Sequence, residues 1–321
     1  MKKGYKKLTF EDMFFRYLQY RKVCGRKELS ERSNLTRFFA RRKNYHTKFL
    51  TQQMVDDWCM KSIGETNVSN SIRIFSILAF LRYVVLEKKW VDLKVPETPP
   101  HAHETAIPHF FTDDELRLLF KATDEIPRGH QLNTILTSME MPVMLRLMLS
   151  AGLRPIEARM LRCQDVNLDN GIIRIENTKG YRKHLSVLHD SMLCIMKKYD
   201  QEINNIIKNR YYFFPNSKGG CQNVYWLQRK FREVWYKYNS SKATVGMLRH
   251  HYAITNINSV VSLDKSEMMK KLIALCKSMG HRSLVSTMWY YSLVPGLADV
   301  IDNLSGDSYK ELIPVLSYEE N

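Results

Sequence analysis

The sequence is short of acid. Against 49 lysines and arginines it carries 33 aspartates and glutamates, a formal charge of +16 over 321 residues. A surplus of that size points to a polyanionic partner, nucleic acid ahead of an anionic membrane surface. Long apolar runs are also lacking. No stretch approaches the roughly 18 uncharged apolar residues of a spanning helix. The basic start Met1-Lys2-Lys3 is not followed by an apolar run with a cleavage site, so neither a membrane span nor a secretory signal is expected. Cysteine is scarce and scattered, at positions 24, 59, 163, 194, 221 and 276. With no CxxC pair and no Cys/His cluster at zinc spacing, a disulfide framework or structural metal is not expected. The thiols read as small buried hydrophobes in a reducing cytoplasm. Internal repeats and low-complexity tracts are missing as well.

What is present is a chain that packs. Apolar residues make up 44% and charged residues 26%, and the length suits two domains rather than one. The charge is unevenly spread: residues 1–100 hold 21 basic and 10 acidic side chains, +11 of the total. That same stretch carries helical stripes: Phe10, Met13, Phe14, Tyr17 and Leu18, then Leu35, Phe38 and Phe39, then Met54, Val55 and Trp58. The strongest holds Ile74, Phe75, Ile77, Leu78, Leu81, Val84 and Val85. Stripes at this spacing form the core of a small four-helix domain, residues 1–95, with the intervening basic residues such as Arg41-Arg42-Lys43 left to meet phosphates. Pro96, Pro99, Pro100 and Pro108 then mark a linker over residues 96–108, because proline at that density continues neither a helix nor a central strand. His101 and His103 within it lack further ligands nearby and read as solvated linker residues.

The remainder, residues 109–321, opens at Thr112-Asp113-Asp114-Glu115, a capping box. An apolar helix is expected from about Met141 to Ser150, stopping near Gly152. Gly171–Glu176 and His184–Leu188 read as a hairpin turning at Thr178-Lys179-Gly180. The rest reads as mainly helical, with Tyr225–Tyr238 rich in aromatic and basic residues. The expected class is mainly α with a small antiparallel β-sheet.

Five pieces of this second part stand in a definite order: Gly152-Leu153-Arg154-Pro155-Ile156-Glu157 with Leu161, Lys179 in the hairpin turn, Leu248-Arg249-His250, Gly280-His281-Arg282-Ser283, and Tyr290 nine residues after His281. Each is weak alone. Together, over about 140 residues, the set resembles the tyrosine recombinases, the phage-integrase or Xer/Cre-like family. The resemblance covers residues 108–300 well and the N-terminal part more loosely. It implies a helical core-binding, SAM-like domain followed by a tyrosine-recombinase catalytic domain.

The chemistry asks for these residue types. Attack on a phosphodiester concentrates charge on its non-bridging oxygens, and arginine suits that charge with a planar fork that stays protonated. Arg154 and Arg249 would form the clamp. Glu157, three residues after Arg154 on one helical face, would orient it, or would be only an intrahelical ion pair. The resemblance implies Tyr290 as nucleophile, giving a 3′-phosphotyrosine, with Tyr291 the adjacent competitor. It implies Lys179 as the donor to the leaving 5′ oxygen, with Arg182 and Lys183 close by. His281 would bond the phosphate, or be a satisfied structural histidine. His250 is either structural or a catalytic assistant.

One departure stands out. The family usually carries a histidine three residues before the second arginine, and here that position is Gly246. Either His250 or His251 substitutes as base, or water does, or the chain only binds DNA. The resemblance further implies double-stranded DNA with specific core sites as partner, and a homotetramer on two duplexes formed by docking a terminal helix. Leu297, Val300, Ile301 and Leu304 would supply that helix, or would pack intramolecularly. Accessory or directionality factors remain open, no cofactor, metal or membrane partner is expected, and the place of action would be the nucleoid. A catalytically silent DNA-binding protein and a type IB topoisomerase-like or resolvase enzyme are the alternatives.

Overall fold

The computed structural model describes residues 8–25, 29–98, 109–176, 183–259, 263–281 and 283–290. Lys179, Arg182, Tyr291, most of the proline-rich linker with its two histidines, and the stripe Leu297, Val300, Ile301 and Leu304 lie outside them. The chain divides into two compact units, Met1–Ala106 and Ile107–Asn321.

In the first unit, α1 (Phe10–Val23) begins at Thr9, whose hydroxyl accepts from the Asp12 N–H while the Asp12 carboxylate accepts from the Thr9 N–H. This reciprocal cap satisfies donors that every helix start leaves unpaired. Phe10, Met13 and Tyr17 then enter the core on one face. Helices α2 (Leu29–Ala40), α3 (Gln52–Cys59) and α4 (Asn67–Arg82) follow, the last two capped by Thr51 and Thr66. The core is largely aromatic: Phe10 lies 5.4, 5.2 and 5.6 Å, centroid to centroid, from Phe38, Phe39 and Phe80. α4 runs on into a π-helical turn, Tyr83–Glu87. The 21 residues Asn67–Glu87 are long and apolar enough to cross a membrane by length and composition, which corrects the expectation that no such segment exists. Their apolar side chains Ile77, Phe80, Leu81 and Val84 are buried in the core of the unit. A helix enclosed by protein becomes as apolar as one enclosed by lipid.

The second unit is built around α6 (Leu132–Ala151), which packs against α5 (Asp113–Asp124) and against α8 (Asp190–Ile206) and α10 (Met247–Asn258). The Thr112–Glu115 capping box forms on α5. α6 has 20 residues, about twice the expected length, with Pro142 inside it. Read locally, that proline looks like a first-turn residue. Burial of Leu136, Met141, Met144, Leu145, Leu147 and Met148 outweighs the ~3 kcal/mol a mid-helix proline costs.

After the short α7 (Pro155–Arg159) comes an antiparallel sheet of β1 (Val166–Asn167), β2 (Ile172–Ile175) and β3 (His184–Val187), in that order. β1 is too short to show any periodicity in sequence. Ile173 lies opposite Ser186 and Ile175 opposite His184, and all four are buried. This register turns Leu185 and Val187 outward, inverting the apolar-in alternation that β3 suggests by itself. α9 (Val224–Tyr238) buries Leu227, Phe231, Val234 and Trp235. α10, α11 (Lys265–Ser278) and the single turn α12 (Val285–Met288) close the unit around Ala253, Ile257, Leu272, Leu275, Met279 and Tyr290.

Candidate active site

Arg154 stands immediately before Pro155, and a residue in that position is held away from helical geometry by the proline ring. Its backbone is extended, with φ −69° and ψ 152°, and caps α7 rather than belonging to it. The expectation of Arg154 and Glu157 on one helical face is therefore corrected. Glu157 instead folds back from the first turn. Its carboxylate accepts from the Arg154 backbone N–H at 2.8 Å and from Arg154 Nη1 at 2.6 Å.

The same carboxylate lies 3.7 Å from Arg249 Nη1. Glu157 is buried, so one enclosed anion serves two guanidiniums. Arg249, in the first turn of α10, is buried too. It donates from Nη1 to the Gly152 carbonyl at 2.7 Å and from Nη2 to the Met279 carbonyl at 2.7 Å. Burial first, then repulsion from Arg154, pushes its pKa down to about 10. It remains a cation at neutral pH.

Both carbonyls come from turns that demand glycine. Gly152 ends α6 at φ +61°, where a Cβ would come within 2.3 Å of the Tyr252 ring. Gly280 follows Met279 at φ +62°, where a Cβ would lie 2.5 Å from His184 Nδ1. Only glycine adopts this backbone readily and tolerates such approach.

His281 follows in the second turn. Its Nε2 lies 3.0 Å from Arg249 Nη2 and its Nδ1 2.8 Å from Thr287 Oγ1. Arginine can only donate, so Nε2 accepts and the ring proton sits on Nδ1, donating to Thr287. Burial, then Arg249 and Arg154, pushes the His281 pKa down to about 4, and the ring is neutral. The Tyr290 ring stacks nearly parallel to it, 6.2 Å away and 10° inclined. Tyr290 is 5% exposed. Its hydroxyl lies 3.1 Å from His250 Nδ1. Burial holds the phenol above its ordinary pKa against the opposing pull of Arg249 and Arg154.

The structure thus brings Arg154, Glu157, Arg249, His250, His281 and Tyr290 together from four separate stretches of chain. Lys179 lies outside the described residues. His251 is turned away, its ring 6.0 Å from Phe111. Gly246 caps α10 with ordinary helical dihedrals, and a Cβ there would meet only Thr244 Oγ1, at 4.0 Å. The Gly152 and Met279 carbonyls and Thr287 were not singled out in sequence. Backbone acceptors leave no residue-type signal, and the only hint of Thr287 is its place between His281 and Tyr290.

The model of the phage integrase family matches residues 109–295. The chain belongs to that family. Among curated relatives, a probable integrase/recombinase protein of Methanocaldococcus jannaschii is 27% identical over 155 residues, 46% of this chain and 44% of that one. A tyrosine recombinase of Agathobacter rectalis is 24% identical over 68% of this chain and 69% of its own. A solved lambda integrase tetramer bound to a Holliday junction shares the fold, with a TM-score of 0.58 at 14% identity over 86% of this chain and 78% of that one. Every residue of the site lies inside the integrase-family segment, and the fold is the mainly helical one with a small antiparallel sheet expected from sequence, the sheet having a third strand beyond the expected hairpin.

Proposed function

We propose that this integrase-family protein is a site-specific DNA recombinase, cutting and rejoining duplex DNA through a 3′-phosphotyrosine on Tyr290. The observation that supports it most is the grouping of Arg154, Arg249 and His281 with Tyr290, the His281 ring stacked on that of Tyr290 and Glu157 shared between the two arginines. Preorganised cations aimed at a scissile phosphate stabilise charge where the transition state develops it. A phosphate entering here takes over donors that now serve His281 and the turn carbonyls. Lys179 would hand a proton to the departing 5′ oxygen. Phosphodiester energy is kept in the tyrosyl linkage, so rejoining needs no nucleotide or metal.

The integrated reading is a homotetramer on two duplexes, exchanging strands in two steps through a Holliday junction. The relative solved as such a tetramer supports that assembly by fold alone. Gly246, where a side-chain base is usual, favours a second reading, a DNA-binding protein without cleavage.

The test is a denaturing gel of protein incubated with nicked duplexes tiled across the DNA flanking the coding sequence, the nick trapping any covalent intermediate. A protein–DNA adduct in wild type that vanishes in Tyr290→Phe supports the recombinase. An adduct that persists in Tyr290→Phe moves the nucleophile elsewhere, to Tyr291 first. Specific binding with no adduct leaves the silent reading.

A further inference from the structure

We infer that His250 is the general base of the cleavage step, receiving the Tyr290 proton on Nδ1 as the phenolic oxygen attacks phosphorus. The inference rests on the recombinase reading and names the proton path inside it.

A phenol attacks slowly unless its proton leaves, and burial makes the Tyr290 proton harder to lose. The groups close enough to take it can be sorted by geometry. His281 faces the Tyr290 ring rather than its hydroxyl, and both its nitrogens are engaged, with Arg249 and with Thr287. His251 faces Phe111. Gly246 has no side chain. Arg249 only donates. His250 Nδ1, 3.1 Å from the Tyr290 hydroxyl, is within proton-transfer reach. The His250 ring packs in a cluster with the Tyr290 ring at 5.5 Å and Trp289 at 5.9 Å, which are 5.0 Å from each other. Burial, then Arg249, keeps its pKa below the ordinary histidine value. The imidazole is therefore neutral at pH 7, with a lone pair to offer.

The step balances. The Tyr290 Oη–P bond forms and the P–O5′ bond breaks, the 5′ oxygen leaving with the bonding pair and taking a proton from its own donor. The phenolic proton moves to His250 Nδ1. On rejoining, the 5′ hydroxyl attacks the phosphotyrosine, and His250 returns its proton to the departing phenolate. The imidazolium present in between stands beside Arg249; the phosphotyrosine is still a diester with the single negative charge of the substrate, and extra charge on its oxygens exists only in the transition state.

The experiment is single-turnover adduct formation on a nicked duplex that wild type cleaves, from pH 6 to 9.5, with His250→Asn. Asparagine places a hydrogen-bonding atom near the Nδ1 position but takes no proton at these pH values. A structural role survives that change and a proton acceptor does not. We expect a fall of about 100-fold or more at pH 7, with DNA affinity and melting temperature unchanged. Wild type should be flat above the ordinary histidine range. The variant should rise about tenfold per pH unit, as hydroxide does the work, so that its gap to wild type narrows steadily across the range. Among the described residues, the titratable and charged groups around the imidazole are Tyr290 and Arg249, with Arg154, Glu157 and His281 in the same cluster. A second arm uses His250→Ala with added imidazole, where recovery by at least tenfold is expected.

His250→Asn within about threefold of wild type at pH 7, or a variant profile parallel to wild type, overturns the inference while leaving the recombinase standing. Failure of imidazole to restore a folded, DNA-binding His250→Ala also counts against it. No wild-type adduct on any duplex overturns the recombinase reading, and the base with it.

Discussion

At the scale of single residues, the site is an electrostatic compromise around one carboxylate. Two guanidiniums that repel each other through a poorly hydrated interior are held by buried Glu157. Removing one partner of a buried ionic group leaves the others uncompensated. Glu157→Gln should therefore cost about 3 kcal/mol of stability by chemical denaturation. It should also cut adduct formation more than it cuts DNA affinity, because the arginines lose their geometry before they lose their charge. An unchanged denaturation midpoint would refute the shared-anion account.

The histidines carry a pH signature. His281 has its folded pKa pushed down to about 4, below the ordinary value near 6.5. As pH falls the unfolded chain takes up that proton first, so the contribution is present above pH 6.5 and is lost on the way down to about 4. The expected loss from this one group is on the order of 2 kcal/mol. Melting temperatures between pH 7 and 4.5 should fall more steeply for wild type than for His281→Asn. Parallel curves would mean that the ring is not held neutral in the fold.

At the scale of elements, Arg249 is held by two turns of the chain as well as by its place in the first turn of α10. Gly152 and Gly280 let the backbone reverse in the left-handed region, next to the carbonyls that receive Arg249. Gly280→Ala adds an unfavourable dihedral to an overlap with His184, a combination expected to cost more than about 2 kcal/mol. It should lower adduct formation at least tenfold in whatever fraction stays folded. Gly246→Ala is the contrast. With ordinary dihedrals and nothing closer than 4.0 Å to the new methyl, its stability should stay within about 0.5 kcal/mol. Equal losses from the two substitutions, measured by urea denaturation, would show that the turn at Gly280 carries no special constraint.

The elements also show where local reading ends. Capping at Thr112 and the stripes of α1, α3 and α4 were legible, since both depend on neighbours within one or two turns. α6 was read only from about Met141, because the stability of its first turns comes from the helices packed around it. The facing of β3 could not be read from alternation, since pairing with β2 decides which side is covered.

At the scale of the whole molecule, charge is the dominant fact. The excess of +16 is concentrated in residues 1–100, so DNA affinity should fall linearly in log–log terms with salt. Lys43→Gln should reduce that slope by about 1 while weakening all sequences alike. A slope that does not change would remove Lys43 from the set of phosphate contacts.

The sequence by itself determined the class and the order of the pieces that meet at the candidate site, and its charge pointed to a polyanionic partner. Residue type, helical period and spacing along the chain encode those directly. Tertiary structure decided the rest: that Glu157 bridges Arg154 and Arg249, that His281 accepts from Arg249 while donating to Thr287, and that His250 rather than His251 meets the Tyr290 hydroxyl. His250 and His251 are neighbours in sequence, but one helical step of about 100° sends one to the Tyr290 hydroxyl and the other to Phe111. Only the packing around α10 distinguishes the two directions.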